Sequence, residues 1–333
     1  MKRVLTPDRI PVLIAVGLLL LVAGCSPAYS TGSRESNSAT TGQTKDVTLV
    51  ENSWTGSTAD VYLAKWVLQT QLGTNVKIIQ LDETLVWSAM AQGRVDGLLE
   101  SWGHEDLYAT YITKQHSVVD GGPLGAVGHI GWFVPAYVIQ EHPDLASWEG
   151  LKAKFALFQT PESGAQGQLL DGSPSYVTND GPLIKNLGLN FKVVYAGSEA
   201  AEIAQVRQAY AQHKPLLFYF YTPQWLNLQL NLQEVKLPPY TKKCGALKPE
   251  EINCAYPTYN LYKAFSARFA ATNSEAYQIL RNMRLTNRDQ DEISSLIADK
   301  HLSPDDAAAT WGKAHPSTWS TWLPGHTLLA SGQ

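Results

Sequence analysis

The sequence predicts an α/β protein of two lobes joined by a two-segment hinge, and three observations lead there. Strand and helix signals alternate along most of the chain, the alternation comes in two blocks, and a helical stretch follows the second block. A tail that returns to pack on the first block makes the chain cross between blocks twice, the arrangement of a hinge that closes around a ligand. Apolar residues form 44% of the 333, enough to give each block a core.

The first block opens with a strand at Val47–Val50. Thr58 is placed to cap a helix whose Val61, Ala64 and Leu68 share one face and which Gly73 ends. Val76–Ile79 reads as a second strand, Asp82 opens a helix containing Leu85 and Ala89 that Gly93 closes, and Val95–Leu99 is a third strand. In the second block Gly128–Val138 and Phe155–Phe158 read as strands and Pro182–Leu187 as a short helix. Phe191–Tyr195 follows as a strand, Glu199–Gln212 as a helix with Ile203, Val206 and Tyr210 on one side, and Pro215–Tyr221 as a very apolar strand. The C-terminal part reads as helical: Ser274 precedes Glu275–Met283, and Ser303-Pro304-Asp305-Asp306 sets a cap, a first-turn proline and N-terminal acids in the favoured order.

Before these blocks stands an address. Lys2, Arg3 and Arg9 are basic, Ile10–Val22 is apolar, and Leu21-Val22-Ala23-Gly24 leads into Cys25, so residues 1–24 are expected to be a lipoprotein signal peptide and Cys25 an acylated N-terminus. Residues 25–45 are polar and small and are expected to be a flexible tether. Without the leader the chain has 23 basic and 29 acidic residues and no basic stripe, which argues against nucleic acid as a partner. Cys244 and Cys254 then remain. On the oxidising side of the membrane they are expected to form a disulfide, with two free thiols as the alternative; no metal is expected, since two cysteines without a nearby histidine fall short of four ligands.

Trp and Tyr residues fall where strands end, and ligands of open α/β sheets bind beyond the carboxyl ends of strands. Trp54 follows the first strand, Trp102 the third, and Tyr221 and Trp225 the last. Several converging rings attract a cation that donates no hydrogen bonds, a quaternary ammonium above all, at about 0.5–2 kcal/mol per ring. Trp66, Trp87, Trp148, Trp311, Trp319 and Trp322 lie in or beside helical patterns and are read as packing residues.

The set Trp54-Thr55-Gly56, Gly93-Arg94-Val95-Asp96-Gly97, Glu100-Ser101-Trp102, Gly128–Pro135, Gly197-Ser198-Glu199-Ala200-Ala201 and Tyr219-Phe220-Tyr221-Thr222-Pro223-Gln224-Trp225 resembles the substrate-binding proteins of glycine betaine, choline and carnitine importers of the ABC class. The similarity runs from about Asp46 to Leu323. It implies the type II periplasmic-binding-protein-like fold, with lobe I formed by residues 46–127 plus 238–333 and lobe II by residues 128–237. It also implies an aromatic cage for a trimethylammonium group and delivery of that ligand to a permease and ATPase complex, by a monomer held at the cell envelope through its lipid.

Carried over residue by residue, the resemblance makes Trp102 and Tyr221 cage rings and puts Tyr176 where the family has a Trp. Trp54 and Trp132 match positions that are aromatic in the choline-type branch. The backbone N–H groups of Val177 and Thr178 would meet a carboxylate. His104 is the nearest counterpart of an assisting histidine, at a different spacing, with a plain surface histidine as the alternative. Glu100 and Glu199 could attract the ammonium, but Glu199 also begins a helix, where a negative charge is favoured anyway, so both stay outside the expected site. An amino-acid ligand, histidine-like, is the alternative within the same fold. An envelope hydrolase is a remote one, since the chain has no Gly-x-Ser-x-Gly elbow, His-Glu-x-x-His or phosphate-cradling glycine loop; neither catalytic residues nor a cofactor are expected.

Overall fold

A computed structural model describes residues 46–325. The expected leader, the lipidation site Cys25 and the tether lie outside the described residues. Nine strands form one sheet: β1 (Val47–Glu51), β2 (Val76–Gln80), β3 (Gly97–Ser101), β4 (Val118–Pro135), β5 (Gly167–Asp171), β6 (Phe191–Tyr195), β7 (Phe218–Thr222), β8 (Leu232–Val235) and β9 (Thr258–Ser266). Their order is β2-β1-β3-β9-β4-β7-β5-β6, with β8 paired to β4. Two parallel groups, β2-β1-β3 and β7-β5-β6, are joined through the antiparallel strands β9 and β4.

The long strand β4 carries the chain from one group to the other. Its first part pairs with β9 from Val118 to His129, and its second pairs with β7 from His129 to Phe133. The chain returns through β9. Residues 242–256 rest on the second group: Asn186 Nδ2 donates to the carbonyls of Glu250 (3.0 Å) and Ile252 (2.8 Å), and Tyr256 Oη donates to Asp180 Oδ1 at 2.6 Å. Cys244 and Cys254 are joined by a disulfide, S–S 2.02 Å, within this stretch.

Six helices matter for the site: α1 (Thr55–Leu72), α2 (Glu83–Ala91), α3 (Asp180–Asn186), α4 (Glu199–Ala211), α5 (Asn287–Ala298) and α6 (Pro304–Ala314). Helix α1 starts at Thr55, with Trp54 at the cap position, four residues before the expected cap Thr58; Gly73 ends it in the left-handed conformation, φ 64°. Val61, Leu63, Val67 and Leu68 of α1 are fully buried, each stabilising by about 1.5–3 kcal/mol. Ser198 caps α4 by accepting from Ala201 N at 3.2 Å.

Three elements differ from the sequence expectation. Phe155–Phe158 is a 3₁₀ turn continuing the helix Trp148–Lys154, and the strand of that region is β5. A run of four apolar residues has no period by which a strand can be told from a turn. The expected strand Gly128–Val138 begins ten residues earlier, behind the glycines and proline of Asp120–Pro123, and gives way to a helix at Ala136. Within the supposedly helical C-terminal part lies β9, a central strand. Its buried face alternates Tyr259, Leu261, Lys263 and Phe265, and the lysine hides the pattern. Lys263 is fully buried because its Nζ donates to the carbonyls of Arg281 (2.8 Å) and Met283 (2.5 Å), and desolvation pushes its ammonium down to about 6. Helices α5 and α6 do follow and pack on α1.

Candidate functional site

The strand β7 reads Phe-Tyr-Phe-Tyr-Thr, and period-two alternation sends its side chains to opposite faces. Phe218 and Phe220 enter one core cluster, whereas Tyr219 and Tyr221 face a cavity. Trp54 at the start of α1, Trp102 after β3, Ile130 on β4, Glu83 on α2, and Tyr176 and Val177 in the loop after β5 complete its lining, around roughly 320 Å³ of space that includes the open mouth. That volume falls at the lower end of the range usual for small-molecule sites.

Five rings thus converge. Trp54 meets Tyr176 edge to face, centroids 5.9 Å apart, and Trp102 meets Tyr221 in the same way at 5.6 Å. Tyr219 lies 6.3 Å from Tyr176, and Tyr259 supports Trp102 from 5.7 Å. The loop before Tyr176 needs a glycine: a Cβ on Gly172 would come within 2.6 Å of the Tyr176 ring. Among the described residues Glu83 is the one charged residue of the lining, and no Lys or Arg belongs to it.

Buried carboxylates hold the rings in place. Glu100 Oε1 accepts from Trp54 Nε1 (3.0 Å) and from Trp102 Nε1 (2.6 Å), and burial pushes its carboxyl up to about 7. Glu199, at the start of α4, reaches across to α1: its Oε2 accepts from Thr55 N at 2.9 Å and from Thr55 Oγ1 at 2.5 Å. Its Oε1 accepts from the Tyr221 hydroxyl and from Gln224 Nε2. A carboxylate there complements the helix dipole of α1 while it ties a ring of the second group to the first. Glu83 Oε1 accepts from Trp102 N at 2.6 Å, and its Oε2 lies 3.2 Å from His104 Nε2. Burial alone would lower the His104 pKa, but Glu83 and the acids beside it outweigh that and raise it.

Of the residues expected at the site, Trp54, Trp102, Tyr176, Val177 and Tyr221 line the cavity and Trp132, Thr178, Trp225 and His104 do not. Trp132 is fully buried and donates its Nε1–H to Asp180 Oδ1 at 2.7 Å. Thr178 spends its hydroxyl on the second group, accepting from Asp180 N at 3.2 Å. Trp225 packs with Phe218 and Phe220 on the other face of the sheet, under the Arg207 guanidinium at 5.0 Å. His104 stands behind Glu83. Three lining residues escaped the sequence reading: Ile130, Tyr219 and Glu83. Tyr219 was accessible from the alternation, two residues before Tyr221; Glu83 had no such signal, being an ordinary first-turn acid of a helix. Trp87, Trp311 and Trp322 are core residues, as their helical setting implies.

A ring-lined cavity between two sheet groups, with Glu100 and Glu199 bonded to its rings, defines a protein that binds a small solute. Residues 45–314 match the family described as OpuAC, the substrate binding domain of ABC-type glycine betaine transport system, and the chain belongs to that family. A trimethylamine N-oxide-binding protein of Pelagibacter ubique (strain HTCC1062) is 25% identical over 292 residues, covering 83% of this chain and 90% of the relative. Among solved structures, lactococcal OpuAC in its closed-liganded conformation with glycine betaine superposes with a TM-score of 0.67 at 21% identity, covering 84% of this chain and 99% of that one. An ABC-transporter choline binding protein in complex with choline gives 0.68 at 20% identity, covering 84% and 92%. These likenesses establish the two-lobed fold, and the family establishes a solute-binding component of an ABC importer.

Proposed function

We propose that this chain captures a fully methylated amine, of the glycine betaine, choline, carnitine or trimethylamine N-oxide kind, in a cage of Trp54, Trp102, Tyr176, Tyr219 and Tyr221. One observation carries the reading: five rings line a cavity that no Lys or Arg among the described residues enters. A methylated ammonium is weakly hydrated and donates no hydrogen bond, so it gains about 0.5–2 kcal/mol at each ring and leaves no donor unpaired. A primary ammonium would need several acceptors. Glu100 and Glu199 have their oxygens engaged elsewhere, which disfavours the amino-acid alternative.

In this reading the first lobe comprises residues 46–127 with those from Thr258 onward, and the second residues 128–257, closing about β4 and the return into β9. Closure is the state a permease and its ATPase would receive. The leader pattern before Cys25 supports a lipid anchor at the outer face of the cytoplasmic membrane or in the periplasm, and in this reading the chain acts as a monomer, by binding rather than by catalysis.

Titration calorimetry with glycine betaine, choline, carnitine and trimethylamine N-oxide tests the proposal. At least one should bind and raise the melting temperature. Trp102→Ala should abolish that binding while the protein still folds cooperatively. Four ligands that leave both heat and melting temperature unmoved, or a Trp102→Ala variant with wild-type affinity, would refute it.

A further inference from the structure

Glu100 has an environment that packing alone does not account for. It is 1% exposed, as is Gln290, and Asp60 beside them is 0% exposed. Gln290 Nε2 donates to Glu100 Oε2 and to Asp60 Oδ2, both at 2.9 Å. Among the described residues neither acid has a Lys, Arg or His within ion-pair distance. Three N–H donors aimed at Glu100 favour its ionised form against the burial that raises its carboxyl, and burial together with Glu100 drives the Asp60 carboxyl well up. A buried, unpaired negative charge is costly to the fold, and here it sits directly behind two rings of the cavity without lining it.

We infer that Glu100 is a specificity-determining positioning residue: through the two indole N–H groups it pins Trp54 and Trp102 and makes the cavity select a cationic nitrogen over an isosteric carbon. The inference rests on the aromatic-cage reading above and goes beyond it. Donation of an N–H to a carboxylate polarises the donor, which adds electron density to the ring, and the ring's negative quadrupole is what a cation meets. The ligand's charge then supplies the compensation that Glu100 lacks in the empty protein. A neutral ligand of the same shape would gain the contact area and none of this electrostatic part.

The test uses two ligand pairs differing only in whether the centre is N⁺ or carbon: choline with 3,3-dimethylbutan-1-ol, and glycine betaine with 3,3-dimethylbutanoate. Dissociation constants are measured by calorimetry, with displacement for weak members. Glu100→Gln should weaken the ammonium member about tenfold, the size of one cation–ring contact, and leave the carbon member within twofold. Asp60→Asn disturbs the same buried network but keeps the Glu100 charge, and it should retain the wild-type preference for N⁺. Equal weakening of both members in Glu100→Gln, or loss of the preference in Asp60→Asn as well, would overturn the inference and leave the cage reading standing. A wild-type protein that binds neither ammonium member would overturn both.

Discussion

Gly128→Ala adds one methyl group where the Trp102 ring leaves no room. A Cβ at Gly128 would stand 2.4 Å from Trp102 Cζ3 and 2.7 Å from Cη2. Ordinary carbon contacts begin near 3.5 Å, so the ring must move by about 1 Å. It is held on its other sides: Glu100 takes its N–H at 2.6 Å, Tyr221 meets it edge-on at 5.6 Å, and Tyr259, the cross-strand partner of Gly128, lies 5.7 Å away. The open direction is the cavity. Overpacking of this kind costs about 1–3 kcal/mol, which in a domain of this size lowers the melting temperature by roughly 2–10 °C. Loss of one well-placed ring and partial filling of the cavity should weaken binding of a methylated ammonium about tenfold or more. Calorimetry with glycine betaine and choline, beside a thermal melt of the ligand-free variant, reads both effects. A variant that folds with unchanged melting temperature and binds within twofold of wild type would refute the claim that Trp102 is wedged between β4 and the cavity.

Stability should also depend on pH. Burial raises the carboxyls of Glu100 to about 7 and of Asp171 to about 8, the latter also repelled by Asp180. Unfolded carboxyls ionise near 4. Between those values the folded state binds more protons, so the stability from these groups is full below about 4 and is lost as pH rises toward about 8, at about 1.4 kcal/mol per unit for each net proton. Lys263, lowered to about 6, opposes the trend above that pH by one proton. The urea midpoint should be higher at pH 5.5 than at pH 7.5; a midpoint that rises across the window would contradict these environments. The Cys244–Cys254 bridge closes a short loop on the second group. Replacing both cysteines with serine should cost about 2–3 kcal/mol by the chain-entropy relation and leave ligand affinity within twofold, and a loss of affinity would show that the loop reaches the cavity.

Much of this protein is legible in its residues. Alternating apolar segments bounded by Gly, Ser and Asp place six of the nine strands at least in part, and the aromatic residues at strand ends bring Trp54, Trp102 and Tyr221 to notice. Such features depend on local periods, which a sequence displays directly. Strand β9 stayed hidden because its buried lysine is tolerated only where the carbonyls of Arg281 and Met283 wait for it, eighteen and twenty residues away.

Composition, the two α/β blocks and an aromatic-rich site are thus properties of the sequence by itself. Tertiary structure decided which rings share the cavity, sending Trp225 and Trp132 into cores and Tyr219 into the lining. It also decided that Glu100 and Glu199 serve the rings from behind, through partners at Trp54 and Thr55 that lie 46 and 144 residues away. The physical reason is common to both. A side chain's direction along one strand follows from the backbone period, but a buried charge takes its role from whichever donors the fold brings within hydrogen-bond reach, and those donors come from distant parts of the chain.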